Sequence, residues 1–280
     1  MKIYDRGNEV EVSGISDFNL SKTFECGQCF RWKKDEHGAF TGVANGRAVR
    51  VRQNGDKFIF TCSVEDFESL WRYYFDLDRD YTEVRRQLCI DEFMEKATAY
   101  GAGIHILKQD KWEALCSFII SQNNNISRIK TIIEKFCSVY GELFTFCENQ
   151  HYTFPTAEKI ASVDAKDLGS INCGYRAEYI IDAARMVACR KIDLDALASG
   201  TIDAARAALK KIHGVGDKVA DCVMLFGLHK LDAFPVDVWM KRAVAKYYGP
   251  DFSPEIFRPY AGLAQQYIFH YIRSCNRDKI

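Results

Sequence analysis

The sequence predicts an α+β protein: an N-terminal antiparallel β-rich domain followed by an all-α body built around a helix–hairpin–helix unit. Roughly the first 60 residues alternate apolar and polar positions between turn signals, as half-buried strands do. From residue 64 the apolar spacing changes to three and four, the period of an amphipathic helix. Near residue 214 a Gly-Val-Gly turn separates two helical stretches.

The elements follow in order. Phe30-Arg31-Trp32 alternates in the β manner, Asn45-Gly46 gives a hairpin signal, Ala48 to Arg52 alternates again, and Phe58-Ile59-Phe60 is a short apolar run. Phe67, Leu70, Trp71, Tyr74 and Phe75 open the helical pattern. Helices are expected at 112–120, 125–140, 175–190, 203–211, 217–227, 236–247 and 255–273, with Asp203 and Asp217 suited to helix starts. Pro259 falls inside the last of these and argues that it begins later. No repeat, low-complexity stretch or long linker interrupts the chain. The division expected is 1–100 for the β-rich domain and 101–280 for the helical one.

The chain of 280 residues carries 38 Lys+Arg against 38 Asp+Glu, so no global basic excess marks a nucleic-acid binder. One local concentration exists. Arg206, Lys210, Lys211, Lys218, Lys230, Lys241, Arg242 and Lys246 face only Asp217, Asp221, Asp232 and Asp237 between 204 and 246, although by charge alone an ordinary solvated helix surface is the better account of such a pattern. The eleven cysteines are odd in number and scattered. With no secretory pattern and no membrane-length apolar run, reduced thiols in the cytoplasm are expected, on the nucleoid if the source is prokaryotic. Cys26-Gly27-Gln28-Cys29 lacks the second ligand pair of a zinc site, so neither metal nor cofactor is expected.

The chemistry concentrates between Leu209 and Cys222. Gly214 and Gly216 permit a tight turn, Val215 can pin it between helices, and the bare N–H groups beyond it form an anion site suited to a DNA phosphate. A plain helix–turn–helix corner explains Gly-x-Gly as well. Lys218 and Cys222, four apart, share a helix face. Lys218 also sits in a first turn, where the helix dipole disfavours an ammonium and helps supply an amine nucleophile. Asp237, nineteen residues on and after Pro235, suits a helix N-cap; it also suits a carboxylate facing Lys218 and stabilising positive charge on a sugar.

These residues resemble the 8-oxoguanine DNA glycosylase/AP lyase family of the helix–hairpin–helix glycosylase superfamily. The resemblance lies in Gly214 to Cys222, Pro235-Val236-Asp237-Val238, Gly27 to Trp32, Gln122 to Arg128, Gly174-Tyr175-Arg176-Ala177 and Ala261 to Gln265, which run in family order through nearly the whole chain. It implies a DNA-repair enzyme that removes 8-oxoguanine, and formamidopyrimidine, from duplex DNA opposite cytosine, acting as a monomer without cofactor. It implies two helical subdomains with the base pocket between them. Lys218 is then the nucleophile and Schiff-base former, and Asp237 the essential carboxylate. Gly27, Cys222, Phe226, Gln265 and Phe269 line the base pocket. Asn123, Arg128, Tyr175 and Arg176 handle the stranded cytosine, with Tyr175 as wedge. Gly214, Gly216, Val219 and Trp239 lie at the phosphates.

The chemistry of the lesion fits these assignments. In 8-oxoguanine N7 becomes a donor, which a backbone carbonyl at Gly27 can accept, while guanine would leave that carbonyl unpaired at a cost of ~1–3 kcal/mol. Taken singly, Phe269 reads better as core, Asn123 as a helix cap and Arg176 as surface. Three departures stand out: Trp239 where animal members carry histidine, Phe226 in place of methionine, and Cys29 in place of serine. Other readings are a glycosylase for another damaged base, a non-catalytic helix–hairpin–helix DNA-binding protein, and a thiol redox protein using Cys26 and Cys29. Relatives with a C-terminal iron–sulfur cluster need four cysteines there, whereas only Cys222 and Cys275 lie beyond residue 189.

Overall fold

The computed structural model describes residues 1–277, excepting the side chains of 276 and 277. Six strands make one antiparallel sheet: β1 Lys2–Asp5, β2 Val10–Ser13, β3 Trp32–Lys34, β4 Phe40–Ala44, β5 Arg47–Asn54 and β6 Lys57–Phe60, in the order β1-β2-β6-β5-β4-β3. Asn45 and Gly46 both take positive φ, 49° and 74°, which is the primed turn that their sequence signals. Alternation buries Val10, Val12, Val49, Val51, Phe58 and Phe60 on one face. Against that face pack α1 (Leu20–Glu25), α2 (Val64–Asp66), a wide turn over Phe67–Trp71, and α3 (Arg72–Tyr74). The packing is aromatic, with Phe24 stacked on Trp32 at 4.1 Å. Gly42 pairs with Trp32 across the strands, and a Cβ at Gly42 would overlap the indole.

The sequence expectation needs correction at three places. The strand expected at Phe30 begins only at Trp32, and Phe30 turns into the helical core instead. A helix, α1, interrupts the β-rich stretch; Asn19 caps it by accepting from Lys22 N at 2.9 Å. The body is not all-α either: β7 (Leu143–Phe146) and β8 (Asn149–Tyr152) form a two-stranded hairpin. Its turn residues Cys147 and Glu148 take φ of 46° and 62° without the glycine or asparagine that normally announces such a turn.

The body otherwise consists of α4 (Tyr81–Leu88), α5 (Glu92–Tyr100), α6 (Lys111–Ser121), α7 (Ile126–Tyr140), α8 (Ala157–Ala161), α9 (Arg176–Ala188), α10 (Leu194–Ser199), α11 (Ile202–Leu209), α12 (Asp217–Phe226), α13 (Val238–Tyr247) and α14 (Ala261–Arg277). The expected helix at 255–273 divides into a short 3₁₀ turn, Pro254–Phe257, and α14, with Pro259 between them. No helix among the described residues is long and apolar enough to cross a membrane.

Two buried polar clusters fasten the sheet domain to the body. Asp76, only 3% exposed, receives Arg79 Nε at 2.5 Å, Lys108 Nζ at 2.8 Å and the Tyr81 hydroxyl at 3.0 Å, with His229 3.5 Å away. Hydrogen bonds from these groups hold its carboxyl far below the usual range despite burial. Gln28 is fully buried and satisfied: its amide nitrogen donates to Thr23 O and His105 O, and its oxygen accepts from Leu107 N at 2.9 Å. This amide fixes the loop that carries Gly27.

Candidate active site

Lys218 enters its site from the hairpin between α11 and α12. Val215, 6% exposed, pins that hairpin into the core. Gly214 has φ +80°, and a Cβ there would overlap the Tyr179 ring, so two separate causes require glycine. Gly216 differs. Its backbone is extended, and a Cβ would meet nothing within 4 Å, so the tight turn depends on one glycine rather than two. As N-cap of α12, Gly216 offers no side-chain acceptor to the first-turn N–H groups. Val219, in the first turn of α12, is buried.

Lys218 and Cys222 lie on one face of α12 and share a small cavity of about 60 Å³ with Asp237. The Lys218 Nζ lies 5.8 Å from the centroid of the Phe118 ring. Phe118 in turn stacks on Phe226, centroids 5.3 Å apart. Burial pushes the Cys222 thiol up to about 11, opposed by the neighbouring Lys218. Asp237 caps α13, its Oδ1 accepting from Met240 N at 2.8 Å, and also lines the cavity. The cap and the site-facing carboxylate are therefore one residue.

All five residues expected at the base pocket, Gly27, Cys222, Phe226, Gln265 and Phe269, line this cavity. Gly27 has φ +92°, a conformation that side chains resist, and a Cβ there would sit 3.6 Å from the Phe269 ring. Its loop is anchored to α14 by Gln266, whose Nε2 donates to Cys26 O at 2.9 Å. Gln265 is 5% exposed, and its Oε1 is buried without a hydrogen-bond partner. A lone buried acceptor of this kind costs ~1–3 kcal/mol until a donor arrives. Phe269 also borders a groove of about 970 Å³, together with Lys218, Asp237 and Trp239. On that groove side Arg273 lies over the Phe269 ring at 5.2 Å. A separate cavity of about 630 Å³, between β3–β5 and α7, contains neither Lys218 nor Asp237.

The asparagine loop follows α6. Asn123 has φ +48°, and its Nδ2 donates to Tyr175 Oη at 3.2 Å. Asn125 caps α7, accepting from Arg128 N at 2.9 Å, and the Arg128 side chain is exposed. Tyr175 is 51% exposed. Arg176 is not a surface residue: it is 5% exposed, and its guanidinium donates to Gln122 O, Asn123 O and Cys173 O. It braces the loop from beneath and covers one face of Tyr175 at 4.5 Å.

Three residues at the site receive no role from the sequence. Phe118 lies in a helix buried from Trp112 to Ile120, Gln28 sits between the two cysteines, and Gln266 doubles Gln265. Cys26 and Cys29 are free and almost wholly buried, and burial raises both thiols, Cys26 to about 11; a thiolate nucleophile is disfavoured there.

Fold and site together define a helix–hairpin–helix base-excision DNA repair protein. The chain matches the family described as HhH-GPD superfamily base excision DNA repair protein over residues 116–256, and the N-terminal domain of 8-oxoguanine DNA glycosylase over residues 12–115. It is 34% identical over 260 residues to an N-glycosylase/DNA lyase of Saccharomyces cerevisiae, covering 83% of this chain and 69% of that one. It superposes with TM-score 0.94 and 41% identity on the solved structure of MBOgg1 with a low-affinity DNA ligand, covering 98% and 99% of the two chains. Similarity to the Clostridium acetobutylicum 8-oxoguanine glycosylase/lyase, solved with double-stranded DNA containing cytosine opposite 8-oxoguanine, gives TM-score 0.92 and 37% identity over 99% of each chain. The chain belongs to the 8-oxoguanine DNA glycosylase family.

Proposed function

We propose that this protein removes 8-oxoguanine from duplex DNA and then cleaves the abasic strand, acting as a bifunctional glycosylase and lyase. One observation carries the reading. Lys218, Asp237 and an unpartnered buried acceptor on Gln265 meet around a single cavity closed by Gly27. Guanine bases carry donors on their pairing edge, which is what the Gln265 oxygen lacks. The Gly27 carbonyl accepts N7–H, the donor that distinguishes 8-oxoguanine from guanine. Formamidopyrimidine, which keeps the same pairing edge, is a second substrate.

The base is reached by extrusion from the helix. Tyr175 enters the vacated stack, Asn123 and Arg128 meet the stranded cytosine, and Arg176 holds their loop. The uncapped start of α12, at Gly214, Gly216 and Val219, binds a backbone phosphate, with Trp239 along the groove.

The Lys218 amine forms a bond to C1′ as the bond from C1′ to the base breaks; the base leaves with that electron pair and takes up a proton. The carboxylate of Asp237 stabilises the cationic sugar in a site partly screened from water. The C1′–O4′ bond then opens, giving a protonated Schiff base on Lys218. That imine acidifies the C2′ proton, and its loss expels the 3′ phosphate. Water exchanges the protons taken up by the base and lost from C2′, and finally hydrolyses the imine to free Lys218; the protein acts as a monomer in the cytoplasm.

The test is base release from duplexes that differ only at the lesion. The account expects release of 8-oxoguanine opposite cytosine with strand cleavage, and none of guanine from the undamaged duplex. Binding to both duplexes with no base released from either would leave a DNA-binding protein instead.

A further inference from the structure

We infer that Tyr179 is a positioning residue that transmits the grip of the hairpin to the wedge Tyr175. The inference rests on the proposed function, since it presumes that Tyr175 enters the stack. Tyr179 lies on α9, four residues after Tyr175, so the two rings share one helix face. The Tyr179 ring meets Tyr175 edge-on, centroids 5.6 Å apart at 73°. It also meets the His213 ring edge-on, at 4.7 Å and 71°. Its third contact is the bare backbone of Gly214, where a Cβ would overlap it. A second tie runs parallel: His213 N donates to Asp182 Oδ2 at 2.8 Å, and Asp182 is the next residue along that face of α9.

The rest of the Tyr175 ring is held as well. Its hydroxyl accepts from Asn123, and the Arg176 guanidinium covers one face. What remains is the direction of thrust. A wedge displaces a base only if it is backed by something fixed to the same DNA. The hairpin is fixed to a phosphate, and Tyr179 is the contact between hairpin and wedge. The ring is flat and stiff, with two side-chain torsions, so it sets a distance that a flexible side chain of equal volume does not. This also gives Gly214 a second task beside its turn: it lets the spacer ring lie directly on the hairpin backbone.

The experiment pairs two readouts on a duplex with 8-oxoguanine opposite cytosine and 2-aminopurine beside the lesion. Stopped-flow fluorescence follows the opening of the stack, and quenched single-turnover reactions follow excision. Tyr179→Leu is expected to slow both by the same factor, about tenfold for the loss of two ring contacts. Tyr179→Phe, which keeps the ring, is expected to match wild type. Should the leucine lower Tm, Tyr179→Met serves in its place. Because Tyr179 acts through Tyr175, the double variant Tyr175→Leu/Tyr179→Leu is expected to be no slower than Tyr175→Leu alone. An unchanged fluorescence rise with slower excision would overturn the inference, as would factors that multiply in the double variant. Wild-type protein that opens and excises nothing would remove the functional reading itself, and the inference with it.

Discussion

Around Lys218 the wall residues Cys222, Phe226 and Gln265 are each at most 5% exposed, whereas Tyr175 is 51% exposed beside a loop residue, Asn123, held at φ +48°. The pocket draws its members from segments far apart in the chain, and each is locked by packing or by a buried amide such as Gln28. The loop draws its members from two neighbouring turns and rests on one buried guanidinium, that of Arg176. The groups proposed for the chemistry are thus enclosed in the core, while those proposed to probe DNA stand at the surface, where a duplex can reach them. Helix α6 joins the two regions, with Phe118 in the pocket and Gln122 at the start of the loop.

The largest expected effect lies at the buried end. Lys218→Gln should abolish excision, by at least about a thousandfold in single-turnover rate, while duplex affinity stays within a fewfold. Equal loss of binding and excision would break the division between pocket and probe. Asp237 permits a sharper cut, because it both caps α13 and faces the cavity. Asp237→Asn keeps an acceptor for Met240 N but loses the charge. The rate should fall ~10²–10³-fold with Tm nearly unchanged. Asp237→Ala should fall as far in rate and also lose ~0.5–2 kcal/mol of stability, seen as a lower urea midpoint. A fully active Asp237→Asn would reduce this residue to a cap.

At the exposed end, Arg176→Ala leaves loop carbonyls without their donor at a cost of ~1–3 kcal/mol. It should weaken binding to the damaged duplex more than it slows the chemical step once bound. The reverse ranking would place Arg176 among the reacting groups.

The smallest effect concerns α6. Glu113 is buried beside Arg31, at 3.2 Å, and desolvation outweighs that partner, raising its carboxyl to about 7. A carboxyl raised on folding holds its proton more tightly in the folded state. Its contribution to stability is therefore full below the unfolded value near 4.5 and is lost as pH rises through about 7. Glu113→Gln should flatten the dependence of Tm on pH across that window. An unchanged profile would mean that the attraction of Arg31 prevails.

The same contrast explains what the sequence makes legible. The Asn45-Gly46 hairpin can be read because its residues favour positive φ, while the Cys147-Glu148 hairpin cannot, because its residues do not and tertiary packing imposes the turn. Lys218, Asp237, Gly27, Cys222 and Gln265 are recognised within ordered motifs, and Phe226 and Phe269 through the family resemblance those motifs establish, since charge alone is silent at a net of zero. Phe118 and Tyr179 escape because a functional aromatic on an apolar helix face has the same periodicity as core. Arg176 is named through the resemblance, but as a residue that meets the stranded cytosine; its burial beneath the loop is what escapes. Arginine is ordinarily exposed, and only the carbonyls of the asparagine loop account for burying this one.

The most direct test of the account is borohydride trapping on a duplex containing 8-oxoguanine opposite cytosine, followed by peptide mapping of the adduct. The account predicts a covalent protein–DNA species joined at Lys218 and absent from Lys218→Gln. An adduct mapped to another residue, or base release with no adduct at all, would contradict it.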